Sequence, residues 1–123
     1  MILQGSKTIE SRFTKVKCAP FGVVEAGDVV LLKLPGGPVV GEFTVGHVDL
    51  FRDLTSAAVR RIAREYAQQL CWDEEFLNGK LTARYGTLLH IATVRAYEQP
   101  VVVEKRDRRG WVVLDAPQLS FLR

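Results

Sequence analysis

The sequence has no long apolar segment and few cysteines. No apolar run approaches the roughly 20 residues that a helix needs to cross a bilayer. The first residues, Met1 to Gly5, are too short and turn polar too early to act as a secretory signal. The two cysteines, Cys18 and Cys71, are too few for a disulfide framework or a thiolate zinc site. We therefore expect a soluble cytoplasmic protein without a membrane partner.

Common catalytic and cofactor motifs are missing as well. The chain has no G-x-G-x-x-G, no P-loop, no G-x-S-x-G and no H-E-x-x-H. The two histidines, His47 and His90, lie in different apolar-rich segments without H-x-H or H-x-x-x-H spacing. Ordinary core or surface histidines explain them better than metal ligands do. Neither a metal nor a cofactor is predicted.

What the sequence does have is the composition of one globular domain. With 123 residues, 47% of them hydrophobic and 25% charged, the chain can bury one core without disulfides. It contains no internal repeat and no linker, so residues 1–123 are interpreted as a single domain. Residues 1–5 resemble the end of a helix that stops at Gly5. Either the protein is naturally short at its front, or a first strand upstream of residue 1 is missing. A sheet edge exposed in that way favours a monomer or a weak homodimer.

Strands are predicted at both ends of the chain. Period-two alternation and short apolar runs predict them over residues 8–13, 29–32, 39–50, 87–97 and 111–114. In the third of these strands the apolar phase slips at Gly46, which is typical of a β-bulge that bends a strand. Pro100 is expected to interrupt pairing before residues 101–103.

Helices are predicted between the strands, over residues 55–70 and 73–79. Asp53 or Thr55 can cap the first, and the second begins with acidic residues and ends at Gly79. Since strands and helices do not alternate along the chain, we predict an α+β protein built around an antiparallel sheet or a partly closed barrel.

Positive charge is concentrated in two short segments. Residues 7–17 hold four cations against Glu10, and residues 105–109 hold four cations against Asp107, so each segment carries a local +3. The net charge of the chain is also only +3. If the two segments converge in space, they form a surface that attracts phosphates. If they do not, they are two solvated basic loops, and the sequence leaves both interpretations open.

One polar cluster lies at the start of the first predicted strand. Glu10 and Arg12 are two residues apart and point the same way, and Lys7 can reach toward them. The cations can bind an anionic ligand while Glu10 accepts a hydrogen bond from a base amino group or a water. The competing interpretation is a surface ion pair worth about 0–1 kcal/mol.

This stretch also carries a resemblance to a known family. Gly5-x-Lys7-x-x-Glu10-x-Arg12 matches the G-x-K-x-x-E-x-R motif at the front of ASCH domains. Other stretches follow in the family's order. They are Ala26-Gly27-Asp28 before a strand ending at Lys33, Gly36-Gly37-Pro38-Val39, Ala83-Arg84-Tyr85, and 105–111. The chain thus resembles the ASCH family from residue 1 to about residue 114.

The resemblance implies a fold and a ligand. ASCH domains have a PUA-like fold, a small mixed or antiparallel β-barrel with helices covering its openings. Their motif residues line a cleft thought to hold RNA or a nucleotide-like ligand. By analogy, Lys7, Glu10 and Arg12 form the floor of the cleft. The remaining implied contacts are Lys33 at the end of its strand, Tyr85 as a stacking face, and a phosphate-binding rim of Lys105, Arg106 and Arg108.

The resemblance also leaves the question of catalysis open. Some ASCH-like proteins remove the acetyl group of N4-acetylcytidine, with a motif lysine as base and a threonine nucleophile three residues later. Lys7 matches the lysine, but Glu10 occupies the nucleophile's position, so that mechanism does not carry over. A hydrolase would instead use Glu10 to activate a water and Lys7 to stabilise the oxyanion. A ribonuclease, or an interaction domain whose cleft is vestigial, is also compatible with the motif.

Overall fold

The computed structural model describes residues 2–18, 20–34, 37–102, 111–114 and 119–122, the last two ranges as backbone. The basic turn 105–109, with Lys105, Arg106 and Arg108, lies outside the described residues. The elements in chain order are β1 (Ile9–Thr14), β2 (Val29–Lys33), β3 (Val39–Phe51), α1 (Ser56–Glu65), α2 (Ala67–Leu70), α3 (Glu74–Lys80), β4 (Tyr85–Val101), β5 (Trp111–Leu114) and β6 (Leu119–Leu122).

The described strands join one mixed sheet in the order β1-β4-β3-β2-β6-β5. The long strands β3 and β4 form its antiparallel centre, with β1 on the outer side of β4 and β2 on the outer side of β3. β2 also pairs with β6 in parallel, and β5 returns antiparallel to β6. The predicted α+β class is confirmed. Strand β6 is an addition that the sequence pattern did not predict.

β3 bends where its sequence pattern slips. Its register against β4 shifts between Thr44 and Val45 and again between Val45 and His47, so Gly46 lies outside the regular ladder. A Cβ at Gly46 would lie 3.1 Å from the Cβ of Ala92, a close approach that glycine permits. The predicted bulge is confirmed. Beyond it, the odd-numbered side chains of β3 point to the opposite face of the sheet from the odd-numbered side chains before it.

β4 is longer than predicted because it continues through Pro100 to Val101. Its register against β3 jumps from the Gly41–Ala96 pair to the Val39–Val101 pair. The residues between these pairs make no regular ladder, so the N–H that proline lacks is not needed there. Pro100 therefore marks a gap in pairing rather than the end of the strand.

The sheet carries an apolar cluster on each face. Leu88 and Leu89 are adjacent in β4 and belong to different clusters, as strand alternation requires. The helices cover one face, where the buried residues are Ile9, Phe13, Leu54, Val59, Ile62, Leu70, Ala83 and Leu88. The cluster on the other face consists of Ile2, Val24, Val30, Phe43, Val45 and Leu89.

The helical segment is capped at two points and broken at one. The hydroxyl of Thr55 accepts a hydrogen bond from the Ala58 N–H at 3.1 Å, and the Asp73 carboxylate accepts one from the Phe76 N–H at 2.7 Å. The continuous helix expected over 55–70 is instead two helices, because Tyr66 leaves helical geometry with φ −112° and ψ 26°. Among the described residues, no helix has the length and apolar character needed to span a membrane.

Candidate functional site

A tight turn precedes the charged motif and places it at the start of β1. The Gly5 N–H donates to the Ile2 carbonyl at 3.0 Å, with Gly5 at φ +77°, where a side chain would be strained. Three residues later the Thr8 N–H donates to the Gln69 carbonyl of α2 at 3.1 Å. The segment around Lys7 is thereby fixed between the start of β1 and the end of the helical layer.

Lys7 and Glu10 form a shielded ion pair. The Lys7 Nζ lies 3.0 Å from the Glu10 Oε2, and the two side chains are 16% and 11% exposed. The pair is therefore not the exposed surface pair that the sequence alone left open. A partly desolvated ion pair has a stronger interaction than an exposed one, and each partner is costly to remove alone.

A cavity of about 370 Å³ opens beside this ion pair. Since Glu10 and Ser11 are adjacent in β1 and both line it, the cavity extends around the edge of that strand. The helical segment contributes the rest of the lining together with Lys7. Its residues in the lining are Leu70, Cys71, Trp72, Asp73 and Phe76. A cation, a carboxylate and two aromatic rings thus share one concave surface.

The aromatic side of the cavity is held by specific contacts. The indole N–H of Trp72 donates to the Ser11 hydroxyl at 3.0 Å. The Trp72 ring packs edge-on against Phe13 at 5.2 Å and lies 5.1 Å from Phe76, measured between ring centroids. Phe76 is 44% exposed, with the Lys80 ammonium 5.2 Å from its ring centroid. Trp72 is therefore fixed, and Phe76 offers an accessible face.

Cys71 holds the loop in an unusual backbone conformation. Its φ of 55° is in the left-handed region, which is uncommon for a residue with a side chain. The Cys71 sulfur lies 3.4 Å from the carbonyl oxygens of both Ser6 and Gln68, so its one S–H can donate to either of them. These contacts tie the loop that carries Trp72 to the segment that carries Lys7.

Comparison with known proteins identifies the fold. No family model and no curated protein matches the sequence. Among solved structures, the crystal structure of ASCH from Zymomonas mobilis matches with a TM-score of 0.62 and 13% identity. The chain has an ASCH-like fold. The match covers 83% of this chain and 64% of the other, so the chain spans less than two-thirds of that protein's length.

Within this ASCH-like fold the motif residues that sequence analysis selected are only partly brought together. Lys7 and Glu10 touch, while Arg12 is half-buried opposite Thr87 and does not line the cavity. By strand alternation Arg12 points to the same side of β1 as Glu10, as expected.

Two further expected residues lie outside the cavity. Tyr85 pairs with Thr14, four residues and about 13 Å along β1 from Glu10, and its ring packs against Phe21 at 5.4 Å. Lys33 ends β2 opposite Val39, with β3 and β4 between that strand and β1. The ligand-binding roles suggested for Tyr85 and Lys33 stay predictions.

Sequence reasoning missed the aromatic wall of the cavity. Trp72 and Phe76 are four residues apart on either side of the N-cap of α3, with Trp72 in the loop before Asp73 and Phe76 in the first helical turn. That spacing, next to the capping residue Asp73, is a local signal of an exposed aromatic pair. Nothing local indicates that the pair faces Lys7, because the contact that fixes Trp72 joins residues 61 positions apart.

The two histidines lie together in the fold, although they are far apart in the sequence. His47 and His90 are directly opposite one another in the β3–β4 ladder, and Asp49 hydrogen-bonds to both. Partial burial raises the pKa of Asp49, but the hydrogen bonds and charges of the two histidines outweigh it and leave that pKa lowered. The two histidines, which the sequence places in different segments, are therefore neighbours joined by Asp49.

Proposed function

We propose that this protein binds RNA or a nucleotide-like ligand. One base would be held in the 370 Å³ cavity lined by Lys7, Glu10, Trp72 and Phe76, which is called the cleft below. The observation that carries the proposal is the position of two aromatic rings beside a shielded cation and a carboxylate. Stacking on aromatic side chains is worth about 1–3 kcal/mol per base, and single-stranded RNA presents unstacked bases. An ASCH-like fold is compatible with this function.

The size of the cleft favours a single base. Its volume of about 370 Å³ is at the small end of the ~300–1,000 Å³ range of ligand pockets. A nucleoside at the end or in a loop of a single strand can enter such a space, whereas a base inside a duplex cannot reach it without leaving the stack.

Each side chain has a distinct part in the proposed recognition. The Lys7 ammonium has three donors, of which Glu10 uses one, so it can also bind a base carbonyl or a phosphate. Glu10 only accepts, so it selects an exocyclic amino group. Trp72 is fixed by Ser11 and provides a rigid stacking face, and the exposed Phe76, in contact with Trp72, extends that aromatic surface.

Phosphate groups of a longer RNA would need cations outside the cleft. The expected rim consists of Lys105, Arg106 and Arg108. Binding through such residues releases counterions, so affinity should fall steeply as the salt concentration rises.

Hydrolysis is the second candidate function, and the Lys7–Glu10 contact is the observation that favours it. A carboxylate at the wall of the cavity can take a proton from a water, and an ammonium 3.0 Å away can stabilise the oxyanion that forms. The substrates would be an acylated cytidine or RNA.

The binding proposal is tested by fluorescence anisotropy with a labelled single-stranded RNA of mixed sequence. The double variant Trp72→Leu/Phe76→Leu keeps both side chains apolar but removes the rings and with them stacking, and we expect it to lose at least about tenfold in affinity. Neutralising Lys105, Arg106 and Arg108 should weaken binding and flatten its salt dependence. The matched control neutralises the three arginines of α1, which are Arg60, Arg61 and Arg64.

The outcomes separate the two functions. Affinity that survives both the aromatic and the 105, 106 and 108 substitutions would overturn the binding proposal. For hydrolysis, Glu10→Gln should abolish turnover of acylated cytidines or RNA while circular dichroism shows that the fold is retained. Absence of turnover in the unmodified protein would exclude these substrates and leave binding as the function.

A further inference from the structure

A second cluster of polar side chains lies on the face of the sheet that the helices cover, apart from the cleft. His47 and Asp49 are two residues apart in β3 and so point the same way. His90 is the direct partner of His47 in β4, and opposite residues in an antiparallel pair share a face. Three side chains with metal-binding atoms therefore project together from two neighbouring strands.

The bulge at Gly46 decides which way this part of β3 faces. Before it, Phe43 and Val45 are buried in the apolar cluster on the face away from the helices. Without the bulge, His47 would continue the same phase and point into that cluster. The extra residue reverses the phase, so Val48 packs against the cluster and His47 turns to the other face, where it is 66% exposed. The cluster is thus a consequence of the bulge rather than of chance exposure.

The distances are close to those of a metal site. The Asp49 carboxylate spans both rings, with Oδ1 2.8 Å from the His47 Nε2 and Oδ2 2.7 Å from the His90 Nε2. One ligand atom from each of the three residues lies within 4.8 Å of the other two. Ligands that are about 2.0–2.2 Å from a tetrahedral zinc ion are separated from one another by a little over ~3 Å. We expect side-chain rotations to bring the three ligand atoms to that geometry.

We propose that His47, Asp49 and His90 bind a divalent transition metal ion, with Zn²⁺ as the ion that the donor set fits best. Two imidazoles and one carboxylate are a ligand set that zinc accepts with a fourth position left open. Hard ions such as Mg²⁺ and Ca²⁺ prefer a set made only of oxygen atoms, so the two imidazoles select against them. The ordinary alternative is a pair of histidine–aspartate hydrogen bonds without a metal.

The surroundings suit an open coordination position. Asp49 and Tyr66 line a second cavity, of about 500 Å³, to which α1 contributes Arg61. The Tyr66 ring packs edge-on against His90 at 5.9 Å between centroids, which restrains the imidazole. A water or a small anion can reach the fourth position on the ion from this cavity, which Arg61 also lines.

Because the chain contains only two histidines, metal binding can be assigned without ambiguity. Tag-free protein is stripped with a chelator, dialysed and titrated with Zn²⁺ by calorimetry, and the histidine ring signals are followed by NMR. We expect one equivalent of Zn²⁺ to bind, both rings to shift together, and the melting temperature to rise with the Zn²⁺ concentration. Co²⁺ in place of Zn²⁺ should give the visible absorption of a four-coordinate ion.

Variants and controls distinguish this site from adventitious binding. His47→Ala removes an exposed side chain and should leave the fold intact while zinc affinity falls at least about tenfold; Asp49→Asn should do the same. Cys18→Ser/Cys71→Ser removes both thiols and should leave affinity unchanged, as should Asp53→Asn in the neighbouring cavity. Failure of the unmodified protein to bind Zn²⁺ would overturn the proposal, and so would zinc affinity that survives both His47→Ala and Asp49→Asn.

Discussion

Trp72 donates its indole N–H to the hydroxyl of Ser11 at 3.0 Å, and this bond joins the loop before α3 to the edge strand β1. The edge of β1 opposite to β4 has no strand partner among the described residues. The Trp72 loop covers part of that edge and forms the cleft there. The same bond therefore orients the proposed stacking face and protects an edge that would otherwise be open to pairing.

Ser11→Ala should loosen Trp72 and weaken RNA binding. A partly buried hydrogen bond of this kind contributes about 0.5–1.5 kcal/mol to stability, and its loss frees the indole ring to rotate away from the cleft. In a Trp111→Phe background Trp72 is the remaining tryptophan, so its emission should shift to longer wavelength. Ser11→Thr keeps the hydroxyl and should restore both signals. Equal emission and affinity in the serine and alanine forms would contradict the role assigned to Ser11.

Alanine substitution at Gly41 and at Gly79 should change the free energy of unfolding in opposite directions. A Cβ at Gly41 would lie 2.7 Å from the Leu3 Cδ2 and 2.8 Å from the Arg95 carbonyl oxygen. Since a backbone oxygen cannot easily move away, Gly41→Ala should cost about 1–3 kcal/mol of unfolding free energy. Gly79 in α3 has open space around its Cα, so Gly79→Ala should gain about 0.5–1 kcal/mol. Urea denaturation of both variants measures the contrast, and equal effects would contradict this packing of β3 against β4.

Thr87→Val should stabilise the protein. Thr87 is 1% exposed in β4, and its hydroxyl has no hydrogen-bond partner in the part of the chain that the structure describes. An unsatisfied buried hydroxyl costs about 1–3 kcal/mol, and valine has nearly the same shape and favours strands. We expect a gain of about 1 kcal/mol in chemical denaturation. Thr87→Ser is the control, because it keeps the hydroxyl and removes the methyl group. A loss of stability in the valine variant would show that the hydroxyl is satisfied.

Much of the fold could be predicted because its determinants are local. The phase slip at Gly46 indicated the bulge, since strand side chains alternate with a period of two. Thr55 was one of the two cap candidates for the first helix, and it caps α1. The ASCH-like motif and the spacing of Lys7 and Glu10 predicted an interaction within one turn and one strand, and these residues do touch.

What could not be predicted depends on contacts between distant parts of the chain. His47 and His90 meet only because of the β3–β4 register, which no spacing within either segment reveals. The contact of Trp72 with Ser11 depends on how the helical layer lies on β1. Strand β6 is short and pairs in parallel with β2, so its pairing follows from tertiary structure rather than from a local pattern.

The hydrogen bond between Tyr97 and Glu42 should shift the ionisation of Tyr97 to higher pH. The Tyr97 hydroxyl donates to the Glu42 Oε1 at 2.8 Å across the β3–β4 ladder. Partial burial, the hydrogen bond to Glu42 and the charge of Glu42 together raise the pKa of Tyr97 to about 12. Tyr66 has a raised pKa as well, so a tyrosine titration followed by absorbance should have a late phase, and Tyr97→Phe should remove its component near pH 12.

Protein stability should follow the same titration. Because the pKa of Tyr97 is higher in the folded state than the value of about 10 in the unfolded chain, the folded state keeps the proton more strongly. Its contribution is complete below about pH 10 and is lost as the pH rises toward 12. Tyr97→Phe should therefore flatten the dependence of unfolding free energy on pH in this window. Glu42→Gln keeps an acceptor without the charge and should move the pKa of Tyr97 back toward about 10. A component near pH 12 that persists in both variants would assign that component to another tyrosine.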